Sequence, residues 1–347
     1  MKVGILTFHR ADNCGAVLQC YALQEAIKDM GHEVCVIDYR QPYIEKFYSV
    51  IPRLYPRSTF FCRLYRNILG KFCYSQFRGR YLNISHKING GDFSECDVYV
   101  IGSDQVWSDE CTGGFDDVYF GLFNRPAHSR VVGYSVSCPL SAIDRFGVGR
   151  LLKHLSNFYK ISFREKALAD HAADLTGCRC IATVDPTLLV ESAVWERFIS
   201  PAASGKVLVC LYQYRLGKDE RRVVMTKAGE IAGQIGTDVE DISGKIYDPL
   251  LFLRKIRNAS YVITNSFHAV AFSLIFKRNF AAVTSEDGLD SRYVDLLRAV
   301  GADAALTTPA NLRYLTNFNY NLIDGSISEL SSRSKNFLSE AIAGKYE

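Results

Sequence analysis

Strand-like and helix-like segments alternate along most of this chain, and that alternation limits its fold more than any other feature. The first forty residues set the pattern, with a buried strand over Val3–Phe8, helical spacing over Ala16–Met30 and a second strand at Val34–Ile37. A strand, a helix and a strand in this order predict two parallel strands joined by a crossover helix. The loop after the first strand, His9–Gly15, then faces any ligand crevice.

The alternation continues and predicts two domains. Further strands are predicted in the first half at Val98–Ile101, Val131–Val136, Tyr159–Phe163 and Cys180–Val184. The second half is predicted to hold strands at Val207–Tyr212, Asp238–Ile242, Tyr261–Thr264 and Phe280–Val283, and helices at Glu220–Ile235, Phe267–Phe276, Ser291–Val300 and Ile327–Ile342. A chain of 347 residues has room for about two such domains. We therefore predict an α/β fold of two Rossmann-like domains that face each other across a cleft.

The predicted domain limits follow from these segments. The N-terminal Rossmann-like domain covers residues 1–190 and the C-terminal one covers residues 191–325. The remaining residues, 326–347, form a C-terminal helix. Within the first domain, one helix is predicted over Ser141–Ser156, where Asp144 completes a capping box.

Composition excludes several classes of protein. Hydrophobic residues make up 48% of the chain and charged residues 22%, which is the balance of a folded protein rather than a disordered one. The apolar runs are strand-length, well short of the ~20 residues that cross a bilayer, and the N-terminus lacks the layout of a signal peptide. We therefore expect a cytoplasmic protein.

The cysteines predict neither disulfides nor a metal site. There are eleven, an odd number, scattered and mostly within apolar stretches, as expected for reduced thiols. The closest pairs are Cys14 with Cys20 and Cys178 with Cys180, and neither has zinc-ribbon spacing. The loop His9–Gly15 also lacks the glycine-rich dinucleotide fingerprint. We therefore expect no metal and no nicotinamide or flavin cofactor.

Positive charge is concentrated in one segment, residues 40–88. This segment holds ten basic residues against a single acid, Glu45, although the whole chain carries only +4. It is also rich in phenylalanine and tyrosine. A basic, aromatic segment favours an anionic partner, and we expect peripheral contact with the inner face of a membrane. The alternative is a helical insertion with aromatic residues in the core and charges in solvent. Nucleic acid is disfavoured, since no recognised module is present.

Two motifs place polar residues after the predicted strands of the first domain. In the first, Asn13 to Gln19 begin a helix, where backbone amides favour an anion or a sugar hydroxyl; capping by Asn13 is the structural alternative. In the second, Asp104, Gln105 and Trp107 follow a strand. Carboxylates and amides bind sugar hydroxyls, and an indole stacks on the apolar face of a sugar.

Two further motifs carry charge or a titratable ring. Arg164 follows a strand, and its planar guanidinium suits a phosphate or a carboxylate; a salt bridge with Glu165 is the alternative. Ser266 and His268 lie in the first turn of a helix that follows a strand. A histidine at the positive end of a helix dipole favours the neutral ring, which can exchange protons. Arg292 opens the next helix and supplies a cation on the same rim.

These motifs together resemble the polysaccharide pyruvyl transferase family. The resemblance is carried by Asn13-Cys14-Gly15-Ala16-Val17-Leu18-Gln19, Gly102-Ser103-Asp104-Gln105-Val106-Trp107, Ser162-Phe163-Arg164-Glu165, Asp185-Pro186-Thr187-Leu188-Leu189 and Thr264-Asn265-Ser266-Phe267-His268. Their order spans nearly the whole chain. One departure is Cys14, where relatives carry an aromatic residue, and this argues against a cysteine nucleophile.

The resemblance implies a fold like that of GT-B glycosyltransferases, with the last helix packing back on the first domain. It implies transfer of pyruvate from phosphoenolpyruvate to two hydroxyls of a sugar in a surface polysaccharide precursor, giving a cyclic ketal. The acceptor is expected to be a lipid-linked oligosaccharide. Phosphoenolpyruvate is the donor substrate, and no cofactor or metal is expected.

The resemblance also suggests a role for each candidate residue. Phosphoenolpyruvate is expected to contact Arg164, Ser266, His268 and Arg292. The expected catalytic groups are His268 and Asp104, with the acid or base role of His268 left open. Acceptor contacts are expected at Asn13, Gln19, Asp104, Gln105 and Trp107.

Two other functions fit the same sequence. One is a GT-B glycosyltransferase that uses a nucleotide sugar, because fold alone does not determine chemistry. The other is a non-catalytic carbohydrate-binding relative. Asp104, Arg164 and His268 argue against the second alternative, because they are of the types that a working site needs.

Overall fold

The computed structural model describes residues 1–50, 57–85, 93, 95–200, 205–212, 216–244, 247–284 and 291–344. The predicted segment 40–88 and the predicted C-terminal helix therefore each lie partly outside the described residues. The chain divides into two compact units. Unit 1 consists of Met1–Val190, Tyr247–Pro249 and Ser331–Glu347, and unit 2 of Glu191–Ile246 and Leu250–Leu330.

Unit 1 is built on a six-stranded sheet in which the paired strands run parallel. Its strands are β1 (Lys2–Leu6), β2 (Glu33–Val36), β3 (Val98–Ile101), β4 (Arg130–Val136), β5 (Lys160–Phe163) and β6 (Ile181–Ala182). They lie in the order β2-β1-β3-β4-β5-β6. The central strand β1 pairs with both neighbours, so that Val3 lies opposite Val34 and Val98. All four residues of β3 are buried, as expected for a parallel strand covered on both faces.

Helices cover this sheet and the loops at its carboxyl edge. They are α1 (Cys14–Asp29), α2 (Pro42–Phe47), α3 (Arg57–Tyr81), α4 (Asp109–Thr112), α5 (Leu140–Phe146), α6 (Val148–Leu155) and α7 (Lys166–Thr176). The crossover helix α1 joins β1 to β2, so the predicted β-α-β unit is confirmed. The described residues between β2 and β3 include the helices α2 and α3.

The prediction of one helix over Ser141–Ser156 is wrong. The chain forms α5 and α6, which are separated at Gly147, where φ is +79° and ψ is 144°. Glycine adopts this conformation without a side-chain clash, and it ends the helical hydrogen bonding. No capping box forms, because the N-cap is Pro139, which has no side-chain cap hydrogen bond. Asp144 instead accepts a hydrogen bond from His171 Nε2 at 2.7 Å.

Unit 2 contains a second parallel sheet. Its strands are β7 (Val207–Cys210), β8 (Val239–Asp241), β9 (Tyr261–Thr264), β10 (Phe280–Val283) and β11 (Leu306–Thr307), in the order β11-β10-β9-β7-β8. Its helices are α8 (Ser192–Glu196), α9 (Lys218–Ile235), α10 (Pro249–Arg257), α11 (Phe267–Ile275) and α12 (Ser291–Ala299). Two parallel sheets of this kind confirm the predicted α/β fold with two Rossmann-like domains.

The last helix, α13 (Tyr320–Ala343), is longer than predicted and contributes residues to both units. Its first part belongs to unit 2, where the Tyr320 hydroxyl donates a hydrogen bond to the Arg278 carbonyl. Its second part belongs to unit 1, where Ser334 Oγ accepts a hydrogen bond from the Val184 amide at 3.0 Å. Leu338 on this second part is fully buried.

We expect the second part of α13 to be required for the stability of unit 1. Leu338→Ala should lower the free energy of unfolding by about 2–5 kcal/mol, because it leaves a cavity at a fully buried position. Urea unfolding of Trp195→Phe protein measures this, since the remaining Trp107 reports on unit 1. The control is Leu322→Ala, at an exposed position on the same helix, for which a change within about 0.5 kcal/mol is expected. Equal effects of the two changes would contradict the assignment.

Candidate functional site

In unit 1, the turn after β3 brings Asp104 to the carboxyl edge of the sheet. Gly102 has a φ of +108°, and a Cβ at this position would lie 2.3 Å from the Tyr134 carbonyl oxygen, so only glycine fits. Asp104 has a φ of +78°, in the left-handed region that aspartate tolerates better than most residues. The Asp104 carbonyl accepts a hydrogen bond from the Ser137 amide at 3.1 Å, which holds the turn against the end of β4.

Arg164 lies at the centre of a cluster of three carboxylates. Its Nη1 is 3.1 Å from Asp185 Oδ2 and 3.7 Å from Asp104 Oδ1, and its Nε is 3.3 Å from Glu165 Oε1. The arginine side chain is only 2% exposed. Burial lowers the pKa of this guanidinium, but the three carboxylates outweigh burial and raise it above its ordinary value. The cluster joins the loops that follow β3, β5 and β6.

Neutral hydroxyl groups complete the cluster. Ser137 Oγ accepts a hydrogen bond from Arg164 Nη2 at 3.0 Å and donates one to Glu165 Oε1 at 2.8 Å. Ser103 Oγ donates to Asp185 Oδ2 at 3.2 Å. Of the three carboxylates, Asp104 is the most accessible, with 14% of its side chain exposed against 0% for Asp185. The arrangement therefore presents one oriented carboxylate at the edge of the sheet.

This geometry corrects the role predicted for Arg164. Three carboxylates around one guanidinium carry an excess of negative charge, which repels an anionic donor such as phosphoenolpyruvate. The guanidinium is also enclosed. Arg164 therefore does not fit a direct contact to phosphoenolpyruvate. It fits a positioning residue, since it holds Asp104. The alternative left open by the sequence, a salt bridge with Glu165, is present.

Two residues expected at the acceptor site lie inside the protein. Trp107 is 2% exposed, packs against aromatic rings and donates from Nε1 to the Tyr119 carbonyl at 2.9 Å. It offers no face to a sugar. Gln19 is fully buried, and its Nε2 donates to Thr7 Oγ1 and to the Ala16 carbonyl, each at 2.9 Å. Both side chains support the edge of the sheet from within, so neither is exposed for contact with an acceptor. Gln105 is partly exposed beside Asp104.

Asn13 is the N-cap of α1, and its Oδ1 accepts a hydrogen bond from the Ala16 amide at 3.2 Å. The loop before it is held by α3, which the sequence did not connect with this site. Lys71 Nζ and Arg78 Nη1 each lie 2.9 Å from an Asp12 carboxylate oxygen. Cys14 Sγ and Tyr74 Oη form a hydrogen bond of 3.1 Å. Only the excess of bases in the segment could have suggested these pairs.

A second polar cluster that sequence reasoning missed lies after β1 and β2. His9 Nε2 is 3.1 Å from Asp38 Oδ1, and both side chains are nearly or fully buried. Arg10 contacts both carboxylate oxygens of Asp38 at 2.6 Å. Burial raises the pKa of the Asp38 carboxyl. Hydrogen bonds from His9 and Arg10 outweigh burial and hold that pKa well below its ordinary value. Burial lowers the pKa of His9. Nothing in the spacing of these residues marks them as a pair.

In unit 2, the turn after β9 positions His268. Asn265 Oδ1 accepts a hydrogen bond from the Tyr212 amide at 2.7 Å, which ties this turn to the segment after β7. Ser266 is the N-cap of α11, and its Oγ accepts a hydrogen bond from the Ala269 amide at 3.4 Å. His268 lies in the first turn of α11, is buried, and contacts the Phe267 ring edge-on at 5.2 Å between centroids.

Arg292 lies in the first turn of α12, the helix that follows β10. Strands β9 and β10 are neighbours, with Thr264 opposite Ala282, and α11 packs against α12. The first turns of both helices therefore lie at the same edge of this sheet. Two helix N-termini, an imidazole and a guanidinium lie at this edge, and helix N-termini of this kind can bind a small anion. The structure thus groups Ser266, His268 and Arg292 in unit 2 and Asp104 with Arg164 in unit 1.

The family of the chain is settled by its sequence. The family model described as "Polysaccharide pyruvyl transferase" matches residues 13–287, which contain the five motifs that carry the resemblance but not Arg292. The chain belongs to the polysaccharide pyruvyl transferase family. The resemblance stated from the motifs is therefore confirmed. No curated protein matches this pyruvyl transferase family member.

Solved structures resemble this family member only distantly. A UDP-GlcNAc 2-epimerase from Neisseria meningitidis, bound to UDP-GlcNAc, is 9% identical with a TM-score of 0.48, over 99% of this chain and 100% of that one. A UDP-GlcNAc 2-epimerase from Methanocaldococcus jannaschii is 11% identical with a TM-score of 0.46, over 94% and 92%. The spinosyn forosaminyltransferase SpnP is 13% identical with a TM-score of 0.41, over 100% and 96%. Similarity at this level indicates nothing about what this family member binds.

Two cavities lie away from these groups. One, of about 850 Å³ in unit 1, lies beside the start of β5 and the second part of α13, and Phe158, Lys160 and Phe337 contribute to its lining. The other, of about 490 Å³ in unit 2, lies beside β10 and β11, and Thr307 and Arg313 contribute to its lining. None of the predicted site residues lines either cavity.

The buried cluster of this family member predicts a large stability effect. Arg164→Met should lower the free energy of unfolding by about 3–5 kcal/mol, because it leaves three carboxylates without their buried counterion. Urea unfolding measures the change. The loss should shrink from pH 8 to pH 5, because the carboxylates left behind can then take up protons.

The matched control is Arg145→Met. Arg145 pairs with Asp109 at 2.6 Å, but its side chain is 43% exposed. Such a surface pair contributes about 0–1 kcal/mol. A similar loss from the two substitutions would contradict the central role of Arg164.

Proposed function

We propose that this protein transfers pyruvate from phosphoenolpyruvate to two hydroxyls of a sugar in a lipid-linked polysaccharide precursor, and so forms a cyclic ketal. Membership of the family supports pyruvyl transfer to a polysaccharide in general. The donor and the ketal product are our proposal. The observation that carries it is the start of α11 at the edge of the sheet in unit 2, where the buried His268 lies in the first turn beside the Ser266 cap.

Unit 2 is proposed to bind the donor. Phosphoenolpyruvate carries a carboxylate and a phosphate, and both need cationic or amide partners. The N-termini of α11 and α12 supply backbone amides and favourable dipoles, and Arg292 supplies a guanidinium. The Ser266 hydroxyl and the His268 ring add hydrogen bonds at the start of α11. Anchoring both anions of the donor fixes its C2 and C3 for reaction.

Unit 1 is proposed to bind the acceptor sugar. Asp104 presents its carboxylate at the carboxyl edge of β3, with Gln105 beside it. Asn13 follows β1, the neighbour of β3 in the sheet, and adds an amide at the same edge. Carboxylate and amide oxygens accept hydrogen bonds from sugar hydroxyls. Arg164 acts through Asp104, whose position it holds, and does not contact the donor.

The proposed reaction requires two proton transfers. One sugar hydroxyl adds to C2 of phosphoenolpyruvate and loses its proton. C3 gains a proton and becomes a methyl group, so this step consumes no net protons. Inorganic phosphate then leaves from C2. The second hydroxyl closes the ketal, and its proton leaves with the phosphate. Asp104 is suited to accept a proton from a hydroxyl, and His268 is suited to exchange a proton with the donor.

We expect His268→Gln to lower kcat by about 100–10,000-fold, the usual contribution of a positioned acid or base. The assay measures phosphate released from phosphoenolpyruvate and, by mass spectrometry, the pyruvyl ketal formed on a lipid-linked glycan pool. The control is His171→Gln, at a partly exposed position paired with Asp144, which should leave kcat within about twofold. Nucleotide release from a nucleotide sugar, without any use of phosphoenolpyruvate, would instead establish a glycosyltransferase.

The assignment of donor and acceptor to different residues predicts different kinetic effects. Arg292→Gln should raise the KM for phosphoenolpyruvate by about tenfold or more, because a hydrogen bond to a charged group is lost. Asp104→Asn should instead lower kcat or raise the KM for the acceptor, and should leave the KM for phosphoenolpyruvate within about twofold. Steady-state kinetics with each substrate varied in turn measure both. If Asp104→Asn changed only the KM for phosphoenolpyruvate, the assignment of Asp104 to the acceptor would be contradicted.

A further inference from the structure

In the part of helix α3 whose side chains are described, residues 64–81, apolar side chains lie on two faces, and one of these faces packs against the rest of unit 1. The packed face carries Tyr74 and Phe77, both buried, and the Phe77 ring contacts Tyr21 of α1 at 6.2 Å. This face anchors α3. The opposite face carries Tyr65, Ile68 and Phe72, which we name the α3 ridge. Their spacing of three and four residues places them on one side of the helix.

The α3 ridge is unusually exposed for residues of its kind. Tyr65 is 67% exposed, Ile68 is 52% and Phe72 is 60%. Apolar side chains scattered singly on a surface are ordinary, but three in one row on one helix form a patch. The fold of unit 1 does not require them, because α3 is already held by its other face. Their exposure therefore indicates contact with something outside unit 1.

A second exposed aromatic group, at the end of α2, lies in the same segment of the chain as the α3 ridge. Phe47 at the end of α2 is 66% exposed, and its ring contacts Tyr48 at 5.0 Å. The chain just after α2 lies against α3, since Asn67 Nδ2 donates a hydrogen bond to the Val50 carbonyl at 3.1 Å. We name Phe47 together with the α3 ridge the aromatic surface.

Five of the basic residues whose side chains are described in this segment fall into two groups. Lys71 and Arg78 pair with Asp12, and Arg40 pairs with Asp38, so these three cations are balanced by acids elsewhere in unit 1. Lys46 and Arg80 are exposed, next to Phe47 and in the last turn of α3 respectively. Glu45 is the only acid in the segment. The aromatic surface is therefore flanked by positive charge.

We propose that the aromatic surface binds the headgroup region of an anionic lipid bilayer. Aromatic rings favour the membrane interface, and lysine and arginine favour anionic lipid. A second copy of the chain is a poorer occupant, because a twofold contact through this surface would bring its own cations together. Across the described ranges, no helix combines the length and the apolar character needed to cross a bilayer. The contact lies on the membrane rather than across it.

This proposal concerns the place where the protein binds its lipid-linked acceptor, and in that respect it rests on the proposed function. It can be wrong even if the proposed reaction is correct. The test uses the full-length protein without phosphoenolpyruvate, in co-sedimentation with vesicles of phosphatidylcholine alone or mixed with phosphatidylglycerol. We expect binding only to the anionic vesicles, and we expect it to weaken as salt is raised. Absence of binding at low salt would overturn the proposal.

The decisive variant is Ile68→Ser with Phe72→Ser. Both positions are exposed, so the thermal unfolding temperature should stay unchanged, while partitioning to anionic vesicles should fall by about tenfold or more. The matched control is Leu322→Ser, equally exposed on α13, which should leave partitioning unchanged.

A second variant tests the charges. Lys46→Gln with Arg80→Gln should weaken binding and flatten its salt dependence. If neither double variant changes the binding to anionic vesicles, the proposal is overturned. Sedimentation velocity tests whether a second copy of the chain occupies the surface. If the protein self-associates, the ridge variant abolishes this self-association and no vesicle binding is seen, the surface belongs to a second copy and the lipid proposal is overturned.

Discussion

The buried guanidinium of Arg164 is the interaction on which the predicted site in unit 1 depends. It neutralises part of the charge of three carboxylates that arrive from the loops after β3, β5 and β6. Parallel strands end at one edge of a sheet, so acids that follow different strands are forced together there. Without a buried cation, their mutual repulsion and the cost of their burial would separate the loops. Because Arg164 holds these loops together, the Asp104 carboxylate stays partly accessible at the edge of the sheet.

The carboxyl edges of the two sheets carry different polar groups. In unit 1, a charge cluster closes the edge of the sheet and leaves one carboxylate accessible. In unit 2, the edge is formed by helix N-termini, with Ser266 as the cap of α11 and Arg292 in the first turn of α12. The first edge is therefore acidic, whereas the second presents helix N-termini. That difference is why we assign hydroxyl groups of a sugar to one and a small dianion to the other.

The basic segment shows why a charge count is a weak guide to surface charge. Its sequence contains ten bases and one acid, which favoured an anionic partner for the segment. In the fold, Lys71 and Arg78 on α3 reach Asp12, far away in the sequence, and so secure the loop before α1. The same helix carries both this internal role and the exposed ridge. Helical periodicity allows the two roles, because Arg78 and the ridge use different sides of α3.

The sequence alone determined the alternation of strands and helices, the parallel sheets and the family. Buried strands such as Val98–Ile101 and Tyr261–Thr264 were predicted with their observed limits, because burial on both faces leaves a continuous apolar run. The break at Gly147 was missed, since an isolated glycine is tolerated within many helices. Local spacing therefore predicts elements better than their ends.

Only the tertiary structure decided which polar and aromatic residues face solvent. Trp107 and Gln19 stand in the same motifs as Asp104 and Asn13, yet they point into unit 1, whereas Asp104 points outward. The partners that decide this, such as Asp185 for Arg164 and Thr7 for Gln19, come from other strands. Contacts between distant segments leave no periodic trace along the chain. The sequence could therefore name the motifs, but the direction of each side chain depended on packing.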